Sequence, residues 1–161
     1  MSLYISKFLT FEEATKSPTA LRLGIDNSPS EEHLKNMRHV AETIFDPVRA
    51  YVDGPLLASS FYRSKALNDA VPGSSPTSQH MTGEAIDIDA DAYQYGTNIS
   101  IFNFIKDNLD FDQLILEYPD QFGTPSWVHV SARRDGKNRK DVKVKLKKLY
   151  ISYSQYKIGM V

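Results

Sequence analysis

Ser78–Asp89 reads SQHMTGEAIDID, a stretch that packs a histidine, a glycine and several carboxylates into twelve positions. A histidine precedes Gly83. After the glycine, Ala85, Ile86, Asp87, Ile88 and Asp89 alternate between apolar and acidic, as on a strand with one buried face. His80 and Asp87 are seven positions apart. On one helix that spacing would separate them by about 10 Å, too far for a shared ion. A turn at Gly83 instead folds the chain back and brings an imidazole and a carboxylate to one point. Two such groups do not hold zinc, which takes three protein ligands in a catalytic site and keeps a fourth position open.

The third ligand must come from elsewhere, and the chain has 4 histidines. His33 and His39 lie at or off the edge of an apolar helical stripe, which suits surface or structural roles. The remaining candidate is His129, in SWVHVSA. Trp127, His129 and Ser131 share one face of an expected strand there, while Val128 and Val130 point the other way. Spacing alone leaves two readings open: a metal site, or histidines that are hydrogen-bonded for structural reasons.

SQHMTGEAIDID is similar to the Ser-x-His-x-x-Gly-x-Ala-x-Asp signature of the zinc D-Ala-D-Ala carboxypeptidases and the phage L-alanyl-D-glutamate endopeptidases, whose fold is shared with the hedgehog signalling domain. SWVHVSA resembles the second signature of these peptidases, whose histidine completes the metal site. The likeness extends to TALRLGIDNSP (Thr19–Pro29), FDPVRAYV (Phe45–Val52), SFYRSKALNDAV (Ser60–Val71) and FDQLILEY (Phe111–Tyr118), in the family's order. It covers about residues 10–131. The resemblance implies a Zn2+ ion held by His80, Asp87 and His129, and a peptidoglycan stem peptide as substrate. It places Arg63 beside the cleft, where the guanidinium either pairs with a buried carboxylate or clamps a substrate carboxylate. Phe61 stands where the family usually has glycine, a departure expected to reshape the pocket wall or the local turn.

The chemistry also needs a base to take a proton from water and return it to the leaving amine. Several relatives carry an acidic residue three positions before the last histidine. Here that position is Ser126, which cannot serve, and a position often occupied by histidine is Trp127. Glu117, at the end of FDQLILE, is the expected replacement, with a strand-end or ligand-orienting carboxylate as its structural reading. Ser78 and Gln79 are expected to hydrogen-bond around the ligands.

Composition bounds the alternatives. The 161 residues suffice for one domain with a substantial core, and 41% hydrophobic with 24% charged residues marks a globular chain. A net charge of −1 argues against nucleic acid as an obligate partner. With no cysteine, thiol catalysis, thiolate metal sites and disulfides are excluded. No stretch approaches the roughly 18 apolar residues of a membrane span. MSLYISKFLTFEEA lacks the basic start and apolar run of a signal peptide, so a cytoplasmic protein, or a phage-encoded one released to the cell wall, is expected.

Along the chain, Thr10 and Glu13 fit a capping box for a short helix from Phe11 to about Lys16. Ser17, Pro18 and Gly24 suggest an irregular segment. Ser30 caps the main helix, whose stripe is Leu34, Met37, Ala41, Ile44 and Val48, with Pro47 expected to kink it. Further strands are expected at Leu56–Ser60 and Phe111–Tyr118. Further helices are expected at Lys65–Ala70 and Ile99–Leu109, the latter capped by Asn98 or Ser100. Residues 132–161 form a basic, tyrosine-bearing extension. Its VKVKLKK is expected to be a strand with a solvated lysine face that discourages edge pairing, apart from the active site; the alternative is contact with an anionic wall polymer.

The expectation is therefore an α+β chain, a small antiparallel sheet with helices packed on it, forming a single zinc peptidase domain over 1–161. A non-catalytic zinc-containing binding module and a phage-particle or wall-binding component are the alternatives.

Overall fold

Apolar and polar residues alternate in the central strands, and this gives the sheet two unlike faces. The structure, a computed structural model, describes residues 2–159. Six strands, β1 (Leu57–Ser60), β2 (Ala85–Asp89), β3 (Gln113–Glu117), β4 (Trp127–Ser131), β5 (Asp141–Lys145) and β6 (Tyr150–Ser152), form one sheet in the order β1-β2-β4-β3-β5-β6. The fold is α+β, as expected. All neighbouring strands are antiparallel except β3 and β5, which run parallel. Both edges of β4 are already taken, by β2 and β3. The chain therefore crosses the start of β3 before it can pair again, and enters β5 in the direction of β3.

Ile86 and Ile88, Val128 and Val130, Leu114 and Leu116, and Val144 turn to one face and are buried to 1% exposure or less. Seven helices accompany the sheet, α1 (Phe11–Thr15), α2 (Pro18–Leu23), α3 (Glu31–Val40), α4 (Asp46–Val52), α5 (Lys65–Ala70), α6 (Asn98–Asn108) and α7 (Tyr153–Gly159), and α3, α4 and α6 supply most of the helical residues packed on that face. Met37, Val40, Ile44 and Val48, from α3, α4 and the turn that joins them, meet Ile101, Phe102 and Ile105 of α6 beneath the sheet.

The capping box at Thr10 is present, with Glu13 N–H donating to Thr10 Oγ1 at 3.2 Å and Thr10 N–H to Glu13 Oε2 at 2.9 Å. The segment expected to be irregular after it is instead α2. Ser17 caps this helix, Pro18 opens it and Gly24 closes it at φ 64°, so residues that break structure in one context punctuate a helix in this one. Between α3 and α4, Ala41–Phe45 form a turn of π type, in which Asp46 N–H donates to the carbonyl of Ala41. The widened turn lets the helix run on through Pro47, which has no N–H to donate. Helix α6 is capped by Thr97, whose Oγ1 accepts from Ser100 N–H at 3.2 Å. Asn98 turns inward instead. Its amide nitrogen lies 3.0 Å from Asp89 Oδ1 and 3.1 Å from the Ser126 carbonyl, tying the end of β2 to the start of β4.

Candidate metal centre

The second face of the sheet carries the site. Across the strands, register pairs Ser60 with Asp87, Asp87 with His129, His129 with Ile115, and Ile115 with Lys143. One pleat along, Trp127 pairs with Glu117 and Glu117 with Lys145. Register partners project to the same side. Asp87, His129, Glu117 and both lysines thus stand together opposite the core.

His80 arrives from the neighbouring 3₁₀ turn, Gln79–Thr82. Ser78 Oγ accepts from His80 N–H at 3.3 Å and starts this turn. Gly83 ends it at φ 77°, and a Cβ there would stand 2.6 Å from the His33 carbonyl oxygen and 2.7 Å from Met37 Cγ. The chain reverses only because glycine tolerates both the backbone angle and the approach to α3. Gln79 Nε2 donates to buried Asp112 at 3.0 Å, and Arg139 forks onto the same carboxylate at 3.0 and 2.8 Å. The turn carrying His80 and the start of the C-terminal segment are thereby fastened to one anchor.

The three expected ligands converge, with one donor atom of each of His80, Asp87 and His129 lying within 4.8 Å of the others. His80 is 1% exposed. Its Nδ1 lies 2.6 Å from the carbonyl oxygen of Phe61, which can only accept, so Nδ1 carries the proton. Burial holds His80 below its usual pKa, which favours the neutral ring. Nε2 is then a bare lone pair with no hydrogen-bond partner, 3.3 Å from Asp87 Oδ1. Burial opposes the charge on Asp87, but the two imidazoles outweigh it and hold the carboxyl well below its usual range. His129 Nδ1 approaches the same oxygen at 3.0 Å. Lone pair facing carboxylate in a buried place is unfavourable unless a cation lies between them. This neutral imidazole, carboxylate and second imidazole suit a zinc-type ion.

Phe61 does not reshape the pocket wall. Its ring is core at 2% exposure, and its backbone carbonyl orients His80. His33 Nδ1 lies 3.2 Å from the Tyr62 hydroxyl, away from the three converging groups, and His39 also stands apart from the cleft.

Glu117 ends β3 at 7% exposure, and no described side chain hydrogen-bonds its carboxylate. Burial pushes its pKa up to about 7; His129, Lys145 and Arg63 pull it down, and Asp87 adds to the rise. Asp120, the nearest other carboxylate in sequence, is occupied with the loop after β3, where its Oδ1 accepts from Phe122 and Thr124 N–H at 2.8 and 3.0 Å. Ser126 is exposed, while Trp127 lines the cleft. Arg63 donates its backbone N–H to the His80 carbonyl at 3.1 Å and Nη1 to Asn68 at 3.3 Å. Its Nε is buried without a partner, and among the described residues no carboxylate lies within 4.0 Å of its side-chain nitrogens. A structural fork onto a buried carboxylate is therefore absent there.

All five expected site residues border one cleft of about 700 Å³, a size suited to a short peptide. Lys143, Lys145 and Tyr150 also border it, contrary to the expected solvated lysine face. Nor is β5 an edge, since β3 and β6 flank it. The alternation of VKVKLKK shows that the lysines share a side. The pairing of β5 with β3, which sets Lys143 opposite Ile115 and Lys145 opposite Glu117, shows which side that is.

Residues 7–131 match the family model described as Peptidase M15. No curated protein matches the chain. Among solved structures it is similar to the LdcB LD-carboxypeptidase, whose structure is described as revealing the molecular basis of peptidoglycan recognition. Identity is 18% and the TM-score 0.40, over 68% of this chain and 65% of that one, so the match spans just under two thirds of the other protein.

Proposed function

The chain belongs to the Peptidase M15 family, and from that premise we propose that it is a zinc-dependent peptidase acting on peptidoglycan stem peptides, of the D-Ala-D-Ala carboxypeptidase or L-Ala-D-Glu endopeptidase type. The single observation that carries the metal reading is the buried, unpartnered Nε2 of His80, 3.3 Å from Asp87 Oδ1. Held by His80 Nε2, the Asp87 carboxylate and His129 Nδ1, zinc would supply Lewis acidity to a peptide carbonyl and bring the pKa of a water toward neutrality.

The protein's own groups do the remaining work. The Glu117 carboxylate, on the same sheet face as His129 and one strand away, takes a proton from the attacking water and returns it to the leaving amine. Arg63, whose Nε is buried without a partner and whose side-chain nitrogens have no carboxylate within 4.0 Å among the described residues, binds a carboxylate of the peptide through its planar fork. The Phe61 carbonyl fixes the His80 ring, so the lone pair needs no reorientation when the ion binds.

The test combines metal analysis of the purified protein with mass spectrometry of muropeptides after incubation. One zinc per chain and loss of an alanine, or a cut after L-Ala, are the expected results. Chelation should abolish turnover, and zinc should restore it. Turnover that persists in excess chelator would overturn the reading. Bound zinc without any cleavage would turn it toward a non-catalytic binding module.

A further inference from the structure

The cleft is more cationic than the chain that builds it. Net charge is −1 overall, yet Lys16, Arg63, Arg139, Lys143 and Lys145 border the cleft against only Asp87 and Glu117. Two of these cations are already engaged, Arg139 with Asp112 at 2.8 Å and Lys143 with Asp141 at 3.2 Å. Lys145 has no carboxylate within 4.0 Å among the described residues. Its ammonium sits 3.9 Å from the centre of the Tyr150 ring, which holds it over the cleft. Both lysines and Tyr150 lie beyond residue 131, where the match to the family ends.

We propose that Lys143 and Lys145, backed by Tyr150, form an anion-binding subsite for a second carboxylate of the substrate, on the side of the scissile bond away from Arg63. The proposal rests on the reading that the cleft takes a peptide. Sheet order carries the geometry. Arg63 follows β1, at one end of the sheet, while the lysines stand on β5, and the His80, Asp87 and His129 cluster lies between them. From His129 to Lys143 is two strand steps, about 10 Å, or about three residues of extended peptide. An acidic peptide with one carboxylate at its end, beyond the scissile bond on the Arg63 side, and another about three residues upstream of that bond matches both cationic banks. A competing role for Lys145 is to favour the ionised form of Glu117, toward which its charge acts. That role would affect neutral and acidic substrates alike.

The discriminating experiment compares two peptides that differ at one group: L-Ala-γ-D-Glu-L-Lys-D-Ala-D-Ala, and the same peptide with the α-carboxylate of its glutamate amidated. Binding is measured by calorimetry on zinc-loaded protein carrying Glu117→Gln, so that turnover does not intrude. The acid should bind about tenfold tighter than the amide, the factor for one charge-assisted hydrogen bond in a half-buried cleft. Adding Lys143→Gln and Lys145→Gln should erase that preference without changing zinc content. Lys143→Arg with Lys145→Arg should keep it. If the double glutamine variant melts early, Lys145→Gln alone decides, with most of the loss expected there. Equal affinity of the unmodified cleft for acid and amide would overturn the proposal, as would a preference that survives both glutamines. A double variant that loses only its binding to a phosphate-bearing wall polymer would overturn it in favour of a polymer contact. Failure of the wild-type protein to cleave either peptide would instead sink the peptidase reading, and a surviving acid preference in binding would leave the subsite standing.

Discussion

Replacing Glu117 by glutamine should remove a pH-dependent penalty from the metal-free protein. Glu117 is 7% exposed, and burial lifts its pKa from 4.5 to about 7. Below pH 4.5 the carboxyl is protonated in both the folded and unfolded chain, and it costs the fold nothing. As pH rises, the unfolded chain releases the proton first while the folded chain still holds it. The folded state then binds more protons, so stability falls with pH until the buried carboxyl also ionises. A tenfold change in proton affinity is worth about 1.4 kcal/mol, so the loss between pH 4.5 and about 7 is about 3 kcal/mol. Asp87, whose pKa is depressed, acts in the opposite sense. It contributes stability present above the ordinary 3.8 and lost as pH falls, but it is common to both proteins and cancels in their difference. The assay is chemical denaturation of both proteins in excess chelator at several values from pH 4 to pH 8. Relative to wild type, Glu117→Gln should gain about 3 kcal/mol across that range, a melting shift on the order of 10 °C. A gap that stays constant with pH would refute the burial argument. With zinc restored, the added positive charge should favour the ionised carboxylate and shrink the gap.

Zinc should raise the melting temperature of the chelated protein, and His80→Ala should remove both the shift and the bound equivalent; a variant that still binds one zinc would show that Nε2 is not a ligand. Glu117→Gln should lower turnover by roughly 10²–10⁴-fold while zinc stays bound, and unchanged turnover would dismiss Glu117 as the base. Gly83→Ala should cost about 1–2 kcal/mol for the left-handed backbone alone, with more from the 2.6 Å approach to the His33 carbonyl; denaturant unfolding that shows no loss would contradict the reading of the turn.

Much of the site was legible in the chain because its signals are local. The alternation of Ala85–Asp89 and Trp127–Ser131 put Asp87 and His129 on polar faces, and Gly83 marked the reversal that lets His80 join them. The capping box at Thr10 and the stripe from Leu34 to Val48 follow from contacts three and four residues apart. Other features escaped a sequence reading because their cause is not local. Ser17, Pro18 and Gly24 serve equally as loop residues and as helix punctuation, and packing decided for α2. Phe61 looked like a change to the pocket, yet a backbone carbonyl has no side-chain identity, so nothing in the residue type revealed that it would orient His80. Alternation in VKVKLKK determined that Lys143 and Lys145 share a face. Which groups share it with them depended on β5 lying parallel to β3, with Lys145 opposite Glu117. A strand carries its own two-residue period in its sequence. Its neighbour and register arise from how distant segments close around one core, with both edges of β4 already filled by β2 and β3.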